Sequence, residues 1–148
     1  MKWLLVLTLV ALSAPGFAQL RLEDARLRGL PPGQTATAGY ALVSNGGDSD
    51  IVIVAAHTAV ADRVEMHAHR HAADGMMGMV RVEQVRVPAQ GRFRFEPGGH
   101  HLMVIGLKRP LLDGENVPVT LVSDTGLEYE ASFQVISVLR ESTEHSHH

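Results

Sequence analysis

Methionine and histidine side chains are concentrated in one part of this sequence, and they are its most chemically capable residues. Apart from Met1, every methionine lies in this interval: Met66, Met76, Met77, Met79 and Met103. It also holds five of the nine histidines: His67, His69, His71, His100 and His101. Thioether sulfur combined with imidazole favours a soft monovalent ion such as Cu(I). Because the chain has no cysteine, such a site would not depend on a reduced thiol, and copper handling is the first hypothesis.

The second part of this interval places two donors on one side of a strand. Side chains alternate between the two faces of an extended strand. In the segment 101–104, His101 and Met103 therefore point one way, while Leu102 and Val104 point into a core. The alternation predicts that an imidazole and a thioether share one face.

The same count applies to two further segments. In the segment 64–67, Met66 falls in the core phase and His67 points outward. Met79 is opposite in phase to the apolar Val80 and Val82, so it projects like a ligand. Greek-key pairing can bring the ends of three such segments to one rim of a β-sandwich.

Some of the methionines and histidines have simpler explanations. Met66 is expected to fill the core, and ordinary surface positions are expected for His57, His71 and His100. No role is assigned to Met76 and Met77.

The remainder of the chain predicts an all-β domain. Short β-branched and aromatic runs are separated by clusters of Gly, Pro, Asn and Asp, the pattern of a β-sandwich or barrel. No segment has the periodicity of an amphipathic helix. The predicted strands are residues 20–28, 37–44, 50–55, 63–69, 79–87, 92–96, 101–107, 117–123 and 128–138.

The first 18 residues predict a cleaved secretory signal. Lys2 precedes an apolar run that is too short to cross a bilayer, and Gly16 and Ala18 stand where a leader peptidase would cut before Gln19. A retained membrane tether is the alternative. The mature chain is then one domain over residues 19–140. An exported chain without cysteine or a eukaryotic sorting signal fits a bacterial periplasm.

The last eight residues, 141–148, predict a solvated tail with clustered imidazoles. His145, His147 and His148 lie beside Glu144, and such a cluster can capture Cu(II) or Zn(II) without any fold. The alternative is the remnant of an expression tag.

The metal-binding pattern resembles the PCuAC family of periplasmic copper chaperones, whose motif runs His, ten residues, Met, twenty-one residues, His, one residue, Met. In this chain 21 residues separate Met79 from His101, and Met103 follows after one more. Residues 30–33, 38–40, 64–67, 97–103 and 106–108 also resemble the family. The resemblance implies a Cu(I) site of His67, Met79, His101 and Met103 on a cupredoxin-like or Ig-like β-sandwich, in a carrier rather than an enzyme.

The first histidine of the motif departs from the family spacing by one residue. Eleven residues separate His67 from Met79, and nine separate His69 from Met79. An inserted residue in the loop at 72–75 explains the difference, because loops accept insertions without moving the flanking strands. We therefore keep His67 as the ligand, with His69 as its substitute.

Other metal chemistries fit the sequence less well. The segment from His67 to His71 is similar to the histidine box of binuclear zinc hydrolases, but Arg70 stands where such sites need an acidic ligand, and a guanidinium has no lone pair. Blue-copper electron transfer needs a cysteine thiolate. The net charge of −3 and the lack of a basic stripe argue against nucleic-acid binding.

Three functional hypotheses remain, and a copper carrier is the first of them. Copper buffering or tolerance without a dedicated acceptor is the second, and a metal-free secreted β module is the third. The family resemblance implies delivery to the Cu(A) subunit of cytochrome oxidase, with Sco-type thiol proteins as partners. Transfer would proceed by ligand exchange, in which thiols of the acceptor displace imidazoles and thioethers one at a time.

Overall fold

The computed structural model describes residues 19–138. The predicted signal, the predicted tail and the last two residues of the predicted domain lie outside this range. Among the described residues, no helix is long and apolar enough to cross a bilayer. The strands, in chain order, are β1 (Leu20–Gly29), β2 (Ala36–Asn45), β3 (Ile51–His57), β4 (Ala61–His71), β5 (Met77–Val82), β6 (Val85–Val87), β7 (Arg92–Phe95), β8 (His101–Leu107), β9 (Asn116–Ser123) and β10 (Glu128–Ser137).

Seven of these strands close into a barrel. Their order around it is β4, β8, β2, β1, β10, β9 and β3, and β3 returns to pair with β4. The pair β1–β10 is parallel, and the other pairs are antiparallel. Strand β5 extends the sheet beyond β4, β6 pairs with β3, and β7 pairs with β2. The all-β, cupredoxin-like prediction is confirmed.

The barrel interior is filled by apolar side chains from alternate positions of the strands. The largest side chains with almost no exposed surface include Phe95, Phe133, Leu27, Ile53 and Leu102. Removing such side chains from water contributes about 25 cal/mol per Å² of apolar surface. Because the described chain has no cysteine, this burial and the strand hydrogen bonds hold the fold.

The prediction of one strand over residues 79–87 was wrong, because the structure forms two. Strand β5 pairs with β4, whereas β6 pairs with β3. The chain changes partner at Glu83 and Gln84, which are both exposed. A continuous apolar alternation cannot show that the strand moves from one neighbour to another, since both halves bury the same kind of side chain.

Candidate metal centre

Three adjacent strands bring the predicted donors to one face of the sheet. Strand β4 lies between β5 and β8; on it His67 is directly opposite His101, and His69 is directly opposite Met79. Met103 lies opposite Glu65. Directly opposed residues of an antiparallel pair project from the same face. We call the side of β5, β4 and β8 that carries these five His and Met residues the donor face.

The residues between the donors point into the barrel, as the alternation predicts. Val64 and Met66 on β4 are 9% and 4% exposed, and Leu102 and Val104 on β8 are fully buried. The assignment of Met66 to the core is therefore confirmed. The apolar side of these strands fixes the direction of the donors, because a slip of one residue would exchange the two faces.

His101 lies at the centre of the donor face and is itself only 4% exposed. Its ring centroid is 5.8 Å from that of His67 and 5.4 Å from that of His69. The side chain of His101 thus points away from the core, as predicted, but it is not in solvent, because the imidazoles of His67 and His69 cover it. Burial lowers the pKa of His101 below its usual 6.5, although a hydrogen bond to the Gly99 carbonyl opposes the shift. The neutral form favoured by burial is the form that binds metals.

A hydrogen bond determines which nitrogen of His101 is free to bind a metal. The Nδ1 atom of His101 is 3.3 Å from the carbonyl oxygen of Gly99. A carbonyl oxygen only accepts, so Nδ1 donates to it, and the lone pair of the neutral ring is on Nε2. Backbone carbonyls commonly orient ligating histidines in this way.

The carboxylate of Glu65 does the same for His67. The Nε2 atom of His67 donates to Oε2 of Glu65 at 2.8 Å, and the Nε atom of Arg63 donates to Oε1 at 3.0 Å. These two hydrogen bonds hold the pKa of Glu65 below its usual 4.5, so the carboxylate stays ionised. The lone pair of neutral His67 is therefore on Nδ1, which is buried and has no hydrogen-bond partner among residues 19–138. Leaving such an atom unpaired costs about 1–3 kcal/mol.

A cavity of about 290 Å³ opens onto the donor face. His69, Met79, His101 and Met103 line part of its wall. Met79 is 52% exposed, whereas Met103 is half-buried. The cavity therefore gives an ion access to both thioethers and to at least two imidazoles.

The donors that converge on this face are imidazoles and thioethers in combination. Within residues 19–138, no three or more His, Cys, Asp or Glu side chains are grouped so that they could hold a metal ion. A mixture of neutral nitrogen and sulfur donors fits a soft ion such as Cu(I) better than a hard divalent ion.

The sequence reasoning missed the role of Glu65. Glu65 and His67 are two residues apart on β4, so strand alternation alone could have placed them on one face. Of the histidines treated as ordinary surface residues, His57 and His100 do not join the donor set, whereas His71 lies on the same side of β4 as His67 and His69. His57 is exposed, with Nε2 3.5 Å from a carboxylate oxygen of Glu128, and His100 packs edge-on against Phe93 with ring centroids 5.1 Å apart.

The barrel and its donor face together define a PCuAC-like domain. A copper-bound PCuAC domain from PmoF2 has a TM-score of 0.67 at 22% identity, covering 83% of this chain and 97% of that domain. An apo PCuAC domain from PmoF1 has a TM-score of 0.69 at 20% identity, covering 83% and 98%. At these identities the likeness concerns the fold. The Cu(I) form of DR1885 from Deinococcus radiodurans is 30% identical, with a TM-score of 0.61, covering 86% of this chain and 83% of that one.

The chain belongs to the family described as "Putative lipoprotein LpqE-like", which matches residues 20–135. It is also 32% identical over 91 residues to "Putative lipoprotein Lxx21020" from Leifsonia xyli subsp. xyli, a match that covers 60% of this chain. The match spans about half, 54%, of the length of that curated relative. The resemblance to PCuAC proteins is confirmed by these comparisons.

Proposed function

We propose that this protein is an extracytoplasmic copper carrier, not an enzyme, that binds Cu(I) on the donor face through His67, Met79, His101 and Met103. One observation carries the proposal: the hairpin of β4 and β5 and the strand β8, which is distant in sequence, place thioethers and imidazoles together on one face. Cu(I) binding is further supported by the relative DR1885, whose Cu(I) form has the same fold at 30% identity.

The second imidazole of the proposed site is His67 and not its neighbour His69. His69 lines the cavity and lies opposite Met79, so an ion that enters the cavity can reach its imidazole. His67 has the stronger chemical reason, because its Nδ1 is buried without a partner while Glu65 holds Nε2. Buried polar atoms without partners are rare in native proteins, and a metal bond at Nδ1 would satisfy this one.

Partial exposure suits a site that must release its ion. Met79 is half in solvent, while His101 is almost fully covered. An acceptor thiolate can therefore displace Met79 first, forming a mixed-ligand intermediate before the imidazoles are released. Copper stays Cu(I) throughout, and the thioethers neither take up nor lose protons.

The proposed acceptor is the Cu(A) subunit of cytochrome oxidase, with a Sco-type thiol protein as partner. The family resemblance supports this choice, and the lipoprotein-like relatives support a location outside the cytoplasm, in the periplasm after removal of the predicted signal. Copper buffering or tolerance is the other use of the same site. The His-rich tail, outside the described residues, is proposed as a separate Cu(II) site.

Two experiments distinguish delivery from buffering. In the first, Cu(I)-loaded protein is mixed with the reduced, copper-free Cu(A) domain, and copper is quantified in each protein after separation. In the second, the gene is deleted: loss of oxidase activity that added copper restores supports delivery. Copper sensitivity with normal oxidase activity, and no transfer in the mixture, would contradict delivery and leave buffering.

A further inference from the structure

The donor face does not end at the proposed copper site. The β4–β5 ladder continues by one more pair beyond His69 and Met79, where His71 is directly opposite Met77. Every second residue of a strand shares a face, so His71 and Met77 lie on the donor face. We call His71 and Met77 the outer pair. It is about 6.7 Å along the strands from the pair of His69 and Met79.

Exposed methionines are concentrated at the hairpin formed by β4 and β5. The described chain has six large hydrophobic side chains that are exposed, and three of them are here: Met76 at 69%, Met77 at 55% and Met79 at 52%. An exposed thioether gains little from packing, so burial does not explain this concentration. Met66, in contrast, is buried in the barrel as an ordinary core residue.

The turn at the hairpin tip keeps the outer pair in register. The amide of Ala72 donates to the carbonyl of Met76 at 2.8 Å, and the amide of Gly75 donates to the carbonyl of Ala72 at 3.0 Å. The Asp74 carboxylate accepts from the amide of Met76 at 3.0 Å. Gly75 has a φ of +79°, a conformation that side chains disfavour. The two strands are therefore closed by a defined turn immediately after His71 and before Met77.

We propose that the outer pair is a second, weaker Cu(I) site that passes the ion to and from the inner site. An imidazole and a thioether on opposed strands form a two-donor site for a soft ion. Inward transfer forms a bond from copper to Sδ of Met79 as the bond to Sδ of Met77 breaks. The bond to the imidazole of His71 then breaks as the imidazole of His101 binds. Copper remains Cu(I), and no proton or electron moves. This proposal rests on the proposed function, because it supplies a route to the same inner site.

The test is a Cu(I) titration against a chromophoric Cu(I) chelator, without oxygen, on the full-length chain. His145, His147 and His148 are first replaced by Asn, so that the tail adds no imidazole. This background should bind one tight and one weaker Cu(I). The variant with His71→Asn and Met77→Leu should lose only the weaker ion and release the other to the chelator more slowly. Both changes are at exposed positions, and circular dichroism checks the fold.

Two further variants make the result specific. His57→Asn removes an exposed imidazole away from the donor face and should keep both ions. Met79→Leu with Met103→Leu should lose the tight ion and keep the weaker one. An outer-pair variant that still binds both ions, or releases copper at an unchanged rate, would overturn the second site. Retention of the tight ion by the Met79 and Met103 variant would instead contradict the proposed function.

Discussion

Glu65 sets the orientation and the tautomer of His67. Its carboxylate is shared between Arg63 and the Nε2 atom of His67, so the ring is held with Nδ1 available for a metal. Carboxylate–histidine pairs of this kind tune metal sites, and losing the carboxylate commonly weakens metal binding. In the proposed site, Glu65 is thus a positioning residue for His67.

Replacing Glu65 by Ala should weaken Cu(I) binding by about 10- to 100-fold, because His67 loses the acceptor that fixes its tautomer. Glu65→Gln should weaken it less, since an amide oxygen can still accept from Nε2. The measurement is a competition titration with a Cu(I) chelator.

A second glutamate–histidine pair provides the matched control. Glu128 lies 3.5 Å from Nε2 of His57, away from the donor face, so Glu128→Ala should leave the Cu(I) affinity unchanged. Equal losses for Glu65→Ala and Glu128→Ala would mean that Glu65 acts through general charge rather than through His67.

Strand β4 is the element that assembles the site. It carries Glu65, His67 and His69 on the donor face, and it pairs with both β5 and β8. Its phase could be predicted from sequence, because Val64 and Met66 mark the buried side with a period of two residues. Its pairing with β8 could not be predicted in this way, because pairing between strands that are distant in sequence depends on the whole topology rather than on local pattern.

The C-terminal part of strand β8 depends on a glycine. Gly106 has a φ of +74°, and a Cβ at this position would lie 2.8 Å from the Cβ and Cγ atoms of Asp62. The amides of Gly106 and Leu107 both donate to the carbonyl of Thr35 at 2.9 Å. The conformation at Gly106 therefore connects β8 to the segment that precedes β2.

Gly106→Ala should lower the free energy of unfolding by about 1–3 kcal/mol, because it adds backbone strain and a clash with Asp62. Gly114→Ala is the control, since Gly114 has a φ of +83° with nothing within 4 Å of a Cβ. The free energy of unfolding of Gly114→Ala should fall by about 1 kcal/mol, from backbone strain alone. Urea unfolding measures both variants. A loss for Gly106→Ala no larger than that for Gly114→Ala would show that Asp62 moves aside freely.

The whole barrel illustrates what the sequence can and cannot predict. The turn residues and alternation predicted nearly all strands, and the predicted strand 101–107 matches β8 at both ends. The pairing of β3 with β4, which closes the barrel, and the separate partners of β5 and β6 could not be predicted from the sequence. Likewise, residue spacing left His67 and His69 as alternative ligands. The proposal of His67 rests on its hydrogen bond to Glu65, which residue spacing does not show.

An ion pair between Arg109 and Glu115 links stability of the whole molecule to pH. Both guanidinium Nη atoms donate to Glu115, at 2.8 and 3.1 Å, and the amide of Leu112 donates to Oε1 at 2.6 Å. The hydrogen bonds from Arg109 and Leu112 lower the pKa of Glu115 below its usual 4.5. A lowered carboxyl pKa stabilises the folded protein above the unfolded value, and this contribution is lost as pH falls through the folded value.

The free energy of unfolding should therefore decrease below pH 4.5, and Glu115→Gln should show a smaller decrease than the unchanged protein. Urea unfolding at several pH values measures the difference in the free energy of unfolding between the two proteins. Glu65 contributes equally to both proteins, so its own pH dependence cancels in this difference. If the two proteins lose stability in parallel, the ion pair does not stabilise the fold.

The central claim is that Met79 and Met103 bind the same Cu(I) ion together with His67 and His101. A Cu(I) titration of protein labelled with ¹³C at the methionine methyl groups and the histidine rings tests it most directly, because the labels report on each proposed ligand. The first equivalent should shift the methyl signals of Met79 and Met103 together, and the ring signals of His67 and His101 with them, while the buried Met66 stays unchanged. A first equivalent that leaves Met79 and Met103 unshifted would contradict the account.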